Sequence, residues 1–350
     1  MKLHLFPIGL FILGLATAGD WNLQESGTKA RFRGLSVVSS EVAWASGSQG
    51  TCVKTVDGGL TWGRLSVPVS SGLDFRDIQA FDDKIAYILS IGPGELSRIY
   101  KTTNGGVTWT LQHTNRDPKG FLDAISFWDA EHGLALGDPV DGRYVILKTD
   151  DGGRTWNKIP DSGMPEALPG EGAFAASGTC LTVQGTENAW FGTGGGTSAR
   201  VFRSTDRGKT WAVATTPIRA GIASAGIFSL AFLDAEHGLA VGGDYKSLDD
   251  PTANLASTSD GGKTWVLAAE GRPAGFRSAV GFVPGLPKTV VAVGPSGSDV
   301  SRDGGRTWLK LEGPGFHALG FGGSAKSGWA VGEDGRIGKL DPASLKIKGK

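Results

Sequence analysis

An all-β ring of seven four-stranded blades is what this sequence predicts, on three observations. The first is a repeated phrase, Ser/Thr-x-Asp/Asn-x-Gly-x-Thr-Trp, present six times and centred on Asp57, Asn104, Asp151, Asp206, Asp260 and Asp303. Steps of 47, 47, 55, 54 and 43 residues separate these positions, and such a period marks an array of one supersecondary unit. The second is composition: 56 glycines in 350 residues punctuate short apolar runs of β type, four per repeat. The third is an unpaired pattern at the N-terminus. Asp20-Trp21-Asn22-Leu23-Gln24-Glu25 matches the opening of a fourth strand, as in Thr108-Trp109-Thr110-Leu111, whereas the C-terminal unit supplies only three strands. Repeated four-stranded antiparallel units around a ring form a β-propeller.

The runs in the first unit are Phe32–Val38, Val42–Ser46, Thr51–Thr55 and Thr61–Val67, and in the second Phe75–Phe81, Ile85–Ser90, Arg98–Thr102 and Thr108–His113. The third gives Leu122–Trp128, Gly133–Leu136, Tyr144–Thr149 and Thr155–Ile159; the fourth Phe174–Gly178, Asn188–Thr193, Ala199–Ser204 and Thr210–Thr215. The fifth gives Ile227–Leu233, Gly238–Gly242, Leu255–Thr258 and Thr264–Ala268; the sixth Arg277–Val283, Thr289–Val293, Asp299–Ser301 and Thr307–Leu311. His317–Phe321, Gly328–Val331 and Gly335–Leu340 begin a seventh that the N-terminal strand completes, which removes the open edge of the array.

Residues 1–18 read as a secretory signal: Lys2, an apolar run from Leu3 to Leu15, and the small-x-small site Ala16-Thr17-Ala18. Cleavage there leaves a single propeller domain over 19–350, a periplasmic or secreted location, a monomer, and no transmembrane segment. Lys+Arg and Asp+Glu balance at 35 each, so no electrostatic footprint for nucleic acid is present. Cys52 and Cys180 fall in distant repeats and are expected as free buried thiols without metal-type spacing. No cofactor or metal motif is found. Gly192-Thr-Gly-Gly-Gly196 lies between two strands with no helix after it, and so is a turn and not a dinucleotide loop.

In each phrase the Asp or Asn side chain accepts from backbone N–H groups of its own turn, the glycines supply positive φ, and the Trp starts the fourth strand with its ring on the blade core. The acidic residues are spread around one rim and cannot converge on a substrate, so their expected role is structural. The twin turns Asp129-Ala-Glu-His-Gly133 and Asp234-Ala-Glu-His-Gly238 lie on the same rim, with His132 and His237 as turn residues.

The phrase resembles the Asp-box, or BNR repeat, of sialidases and related propellers. With the secretory signal, seven units, Phe32-Arg33-Gly34-Leu35 and Val42-Ala43-Trp44-Ala45-Ser46-Gly47, the mature chain looks most like bacterial relatives of the photosystem II stability/assembly factor. That resemblance implies an assembly or maturation role. It gives no support to redox chemistry.

Strand direction places the phrases and the first-to-second-strand turns on one face, and the second-to-third-strand and inter-blade loops on the other. Long segments on the second face are 137–143, 160–172, 192–198, 217–226 and 242–254, and irregular loops on a rigid scaffold are the usual place for a binding surface. First strands open toward the same mouth with Arg33, Arg76, Asp77, Asp123, Ser177, Ser229, Arg277 and His317; the loops add Asp138, Asp141, Glu171, Arg200, Arg219, Asp244 and Tyr245. Candidate ligand-binding residues are therefore Arg33, Arg76, Asp123, Glu171, Asp244, Tyr245, Arg277 and His317, with three arginines suited to a carboxylate or phosphate. The alternative use of these charges is a polar channel lined by internally paired groups.

A sialidase-type site requires an arginine triad, a Tyr nucleophile polarised by a Glu, and an Asp acid/base. Arg33, Arg76 and Arg277 imitate the triad, but no proline follows Arg33-Gly34, and Tyr245 is the sole mouth tyrosine, with no glutamate assignable to it. Carboxylate pairs such as Asp123 with Glu171 or Asp244 form the other hydrolase alternative. The reading favoured by the sequence is an exported non-catalytic propeller that binds an unknown protein or small ligand on its long-loop face.

Overall fold

The computed structural model describes residues 17–268, 271–323 and 327–345; apart from Thr17 and Ala18, the expected signal lies outside the described residues. The chain opens with β1 (Thr17–Ala18) and β2 (Trp21–Gln24). Blade one is β3 (Phe32–Val37), β4 (Ala43–Gly47), β5 (Thr51–Thr55) and β6 (Gly63–Leu65). Blade two is β7 (Asp74–Ala80), β8 (Ala86–Ile91), β9 (Arg98–Thr102) and β10 (Thr110–Thr114). Blade three is β11 (Leu122–Phe127), β12 (Gly133–Val140), β13 (Arg143–Thr149) and β14 (Asn157–Lys158). Blade four is β15 (Leu181–Gln184), β16 (Asn188–Gly192), β17 (Arg200–Ser204) and β18 (Ala212–Thr215). Blade five is β19 (Ala225–Phe232), β20 (Gly238–Asp244), β21 (Leu255–Thr258) and β22 (Val266–Leu267). Blade six is β23 (Ala279–Val283), β24 (Leu286–Gly294), β25 (Gly297–Ser301) and β26 (Leu309–Leu311). The seventh sheet runs β27 (Ala318–Phe321), β28 (Gly328–Val331), β29 (Ile337–Leu340), then β2 and β1.

Six sheets are antiparallel meanders in chain order, and the seventh joins the two ends of the chain. First strands of successive blades touch in a closed circle, from β3 through β7, β11, β15, β19, β23 and β27 back to β3. The seven-bladed propeller and its closure by the N-terminal strand are as the sequence predicts. One apolar layer fills each space between neighbouring blades. Cys52 and Cys180 are free and buried within two of these layers.

Closure is tight at the side-chain level. Asn22, Leu23 and Gln24 pair with Lys339, Gly338 and Ile337, and Trp21 is fully buried with its ring 4.8 Å from that of Phe316. Gln24 Oε1 accepts from Trp329 Nε1 of the seventh blade at 3.1 Å and from Trp62 Nε1 of the first at 3.0 Å. One amide thus ties the last blade to the first.

The six phrases fold alike. In the first, Thr55 Oγ1 donates to Asp57 Oδ1 at 2.8 Å, and Asp57 accepts from Thr61 N at 3.0 Å and Thr61 Oγ1 at 2.6 Å. The pattern recurs at Asp151, Asp206, Asp260 and Asp303, while Asn104 donates to Thr108 Oγ1 in its place. Each turn also donates a backbone N–H to the first-to-second-strand turn of its own blade, as Gly105 does to Lys84 and Gly261 to Glu236. Lysines on third strands reach across to the next turn: Lys54 Nζ to Gly105 O, Lys101 Nζ to Gly152 O and Lys339 Nζ to Gly58 O, each at 2.8 Å. His132 and His237 bond the aspartates of their own turns, Asp129 and Asp234.

Two expectations require correction. Phe174–Gly178 is not the first strand of blade four; Leu181–Gln184 is, paired with β16 from Leu181↔Phe191 to Gln184↔Asn188. Gly178 has φ +77°, and a Cβ there would fall on the Asp77 carboxylate, so the segment bends out of the sheet and Ser177 does not open a strand. Likewise 137–143 is no long loop. It is a hairpin extension, Val140↔Arg143 and Pro139↔Tyr144, closed by Asp141 and Gly142 at φ +51° and +83°, the two positive angles of a type I′ turn.

Two outcomes follow from these contacts. Trp21→Ala is expected to cost about 3–5 kcal/mol, the range for a buried aromatic truncated to Ala, and deletion through Glu25 to abolish cooperative unfolding; unchanged denaturant midpoints refute the closure. The Asp303→Ala variant tests the turns. Partial burial pushes its carboxyl up, but the hydroxyl and N–H of Thr307 and the Ser301 hydroxyl outweigh this and hold it at about 2. The folded value lies below the ordinary value of about 3.9, so the stabilisation is present above about pH 4 and lost as pH falls toward about 2. The midpoint difference between wild type and variant should be clear at neutral pH and shrink through that window.

Candidate functional site at the channel mouth

A register slip recurs where four first strands meet the mouth. β3 slips between Phe32 and Gly34, β7 between Phe75 and Asp77, β11 between Leu122 and Ala124, and β19 between Ile227 and Ser229. The extra residues are Arg33, Arg76, Asp123 and Phe228. Each follows an apolar residue buried in an inter-blade layer, Phe32, Phe75, Leu122 or Ile227. The anchor fixes the strand, and the bulge re-aims the next side chain. All four bulged residues line one cavity of about 360 Å³ at the mouth of the central channel.

Its roof is the segment that leaves the sheet, 173–178. Arg76 Nη1 donates to Ala175 O at 2.9 Å, Arg33 Nη1 to Ala176 O at 3.4 Å, and Ser177 Oγ to Ser278 O at 2.7 Å. An arch from blade four is thereby pinned to blades one, two and six. Under it Phe174 stacks on Phe228 with centroids 4.0 Å apart, and Phe276 and Tyr245 meet Phe228 edge-on at 4.7 and 6.1 Å. The glycine run at 192–196 supplies the neighbouring support: Gly194 bridges both Gly172 and Gly226, and a Cβ on Gly194 would lie 2.5 Å from Gly226 Cα.

The cavity is electrically divided. On one side stand Arg31, Arg33 and Arg76. Asp74 bonds Arg76 Nε at 2.8 Å and lies 3.8 Å from Arg31, while Arg33 Nε has no partner among the described residues. Burial first, then the neighbouring Arg76 and Arg31, lower Arg33 to about 10, so it keeps its charge at neutral pH. On the other side lie Asp123, Asp138 and, beneath, Asp77. Asp123 is 1% exposed and its Oδ2 has no partner among the described residues. Burial, then the charge of Asp138, raises Asp123 well above the usual carboxylate range. Burial also raises Asp77 to about 7, against the pull of N–H groups from Ile125 and Ile78.

The structure brings Arg33, Arg76, Asp123 and Tyr245 together around this cavity. It does not bring in the other candidates. Arg277 is buried and pairs with Asp299 at 2.5 Å, so the three arginines do not converge. His317 Nε2 meets Glu333 at 2.7 Å; burial, then Arg33, push it down to about 4, so it is neutral near pH 7. Glu171 is enclosed by Arg200 Nε at 2.8 Å and the Thr193 hydroxyl at 2.5 Å. Asp244 accepts from Lys246 N at 2.9 Å and Ser247 Oγ at 3.0 Å, beside Arg219. The tyrosine beside a buried glutamate is Tyr144, next to Glu171, and it is 1% exposed and away from the cavity.

Sequence reasoning missed Arg31, Asp74, Phe174, Phe228 and Phe276. A signal for part of this was present. An apolar residue, a variable residue, then Gly, Asp, Ala or Ser recurs as 32–34, 75–77, 122–124, 227–229, 276–278 and 316–318, and in the first four the variable position lines the cavity.

No protein-family model matches the chain. It is 26% identical over 252 residues to the chloroplastic photosystem II stability/assembly factor HCF136 of Arabidopsis thaliana, a match covering 69% of this chain and 56% of that protein. The Oryza sativa subsp. japonica protein of the same name is 26% identical over 157 residues, 44% of this chain and 33% of that one. The chain thus matches about half or less of the length of these curated relatives. Among solved structures, YCF48 bound to a D1 peptide superposes with a TM-score of 0.66 at 18% identity, covering 92% of this chain and 97% of that one. YCF48 from Cyanidioschyzon merolae gives 0.64 at 16%, covering 93% and 99%, and the GH74 enzyme of Niastella koreensis gives 0.50 at 12%, covering 86% and 62%. These likenesses show the propeller fold.

The arch is open to a direct test. Gly178→Ala meets both a positive φ and the Asp77 carboxylate, whereas Gly185→Ala, at φ +63° with nothing within 4 Å, meets only the first. Gly185→Ala should cost about 1–2 kcal/mol, and Gly178→Ala clearly more by the same denaturant titration. Equal losses refute the packing of the arch on Asp77.

Proposed function

We propose that this chain is a non-catalytic propeller that holds a protein or peptide partner on its long-loop face, as an assembly or stability factor does. The observation that carries the reading is the sequence similarity to HCF136, a stability/assembly factor. The YCF48 propeller bound to a D1 peptide is a precedent for peptide binding on this fold. The surface we assign to the partner in this chain is the mouth, where Tyr245 is 45% exposed above the aromatic cluster and Ile222 is 44% exposed on the neighbouring loop.

The side chains a glycoside hydrolase would use are engaged otherwise. Glu171 is enclosed by Arg200 and Thr193, Asp244 caps its own loop, and Tyr245 contacts Phe228 and bonds no glutamate among the described residues. A pair of free carboxyls at catalytic spacing is therefore not assembled from the candidates Asp123, Glu171 and Asp244. The GH74 likeness is one of fold, and fold does not carry chemistry.

The finer parts of the proposal concern family and location. The six hydrogen-bonded turns are read as Asp-boxes of the BNR type, in a bacterial, exported, monomeric protein released after Ala18 into the periplasm or beyond. No helix among the described residues is long and apolar enough to cross a membrane, and no group of three or more metal-ligating side chains is present among them.

The test uses a photo-crosslinking residue at Tyr245 on the mouth or at Thr264 on the opposite rim, in the producing cell. A single adduct from position 245 and none from 264 is expected. A complex containing that adduct partner should fail to accumulate when the gene is deleted, and return with wild type but not with Tyr245→Asp. Equal adducts from both rims, or glycoside turnover lost in Asp123→Asn, would overturn the reading.

A further inference from the structure

The mouth surface accounts for a large partner, but it leaves the cavity beneath the arch without a use. About 360 Å³ is at the small end of small-molecule pockets, which run from about 300 to 1,000 Å³, and it admits no folded partner. Its donors are only partly engaged. Arg76 directs Nε to Asp74 and Nη1 to Ala175 O; Arg33 directs Nη1 to Ala176 O, its Nε is unpartnered, and it makes no ion pair within 4.0 Å among the described residues. Arg31 and Arg76 share the single carboxylate of Asp74. Across from them Asp123, buried and with Oδ2 unpartnered, faces the same space. The remaining wall is aromatic, with Phe174 and Phe228 stacked.

The geometry points to a binding site for a small monocarboxylate with a flat apolar body. Its carboxylate accepts from the free N–H groups of Arg33 and Arg76, which favour bidentate bonding to a planar anion, and its body lies against Phe174 and Phe228. The inference stands apart from the protein-partner reading, since it needs only the cavity.

Asp123 gives the site a pH sign. The groups facing it are Arg33 from β3, Arg76 and Asp77 from β7, Asp138 from β12 and Cys180 before β15. Burial, then the charge of Asp138, raise its carboxyl well above the usual carboxylate range, and in its protonated form it donates a hydrogen bond to the anion. The ligand binds best where it is ionised and Asp123 is not, and affinity falls as pH rises through the folded value of Asp123.

Phenylacetate and its uncharged analogue phenylacetamide, titrated calorimetrically into the full chain, test this. Phenylacetate should bind about tenfold or more tightly than the amide at neutral pH, the difference expected of a charge-assisted pair. Arg33→Gln should remove most of that preference. Asp123→Asn, whose amide still donates, should keep binding and flatten the fall with rising pH; melting curves establish that both variants fold. Equal binding of acid and amide to wild type, or no binding of phenylacetate up to about 10 mM, overturns the inference without reference to any variant. So does a peptide with a free C-terminal phenylalanine that binds about tenfold more tightly than phenylacetate, because that ligand chemistry would then belong to a protein terminus.

Discussion

A ring of blades exists only if its ends meet, and here they meet through four residues. β2 supplies the outer strand that β29 lacks, and Gln24 carries the joint into blade one by accepting from Trp329 and Trp62 at once. Without that strand the outer edge of β29 would be bare and Phe316 would lose the ring of Trp21. Each blade depends on its neighbours, because the apolar layers lie between blades and not within them. Loss of the join therefore exposes a layer on each side of the gap, which is why short N-terminal residues have an influence out of proportion to their number.

The closed ring has two unlike faces. On one, the same turn is built six times, each carboxylate or amide satisfied within its own turn, each turn tied to its own blade by a backbone bond, and three of them to the preceding blade by a lysine. Such a face is regular, and the polar groups of its turns are satisfied internally. On the other, four of the seven first strands arrive with a bulge, which presents Arg33, Arg76, Asp123 or Phe228. Regularity below gives the scaffold its rigidity, and variation above gives it a surface that differs by sector.

The architecture was legible because it rests on repetition. Asp57 and its five counterparts set the period, and Trp21 stood out because it matched Trp109 and Trp308 in context while lying outside any complete unit. The cavity was legible only in part. Arg33, Arg76 and Asp123 were visible as strand-opening residues, but a bulge is a register event, and a list of apolar runs does not contain register. Phe174–Gly178 misled for a related reason: an apolar run flanked by glycines has the composition of a strand, and only Asp77, distant in sequence, occupies the space that keeps Gly178 out of one. Phe228 was hidden within a continuous apolar run, where nothing local distinguishes a side chain facing a neighbour blade from one facing the mouth.

Repeat equivalence also explains which sector of the mouth stays available. Arg33, Arg76, Asp123, Phe228, Arg277 and His317 occupy corresponding positions, so on symmetry alone all six would face the channel. Local partners decide otherwise. Asp299, on the third strand of blade six, draws Arg277 into a buried pair, and Glu333, in the second-to-third-strand turn of blade seven, engages His317. Blades one, two and three supply no equivalent acid on their third strands, where the corresponding stretches read Thr51-Cys52-Val53, Arg98-Ile99-Tyr100 and Val145-Ile146-Leu147. Arg33 consequently turns to a carbonyl of the arch, and Arg76 to another besides its pair with Asp74; a carbonyl satisfies a hydrogen bond but brings no compensating charge. At Arg33 the carbonyl-capped guanidinium, beside a buried acid that its surroundings push toward the neutral form, keeps the positive field that a carboxylate partner would have cancelled. The position of the cavity thus follows from where the third strands lack an acid, and its aromatic wall follows from the loops of blades four and five that bend over that same sector.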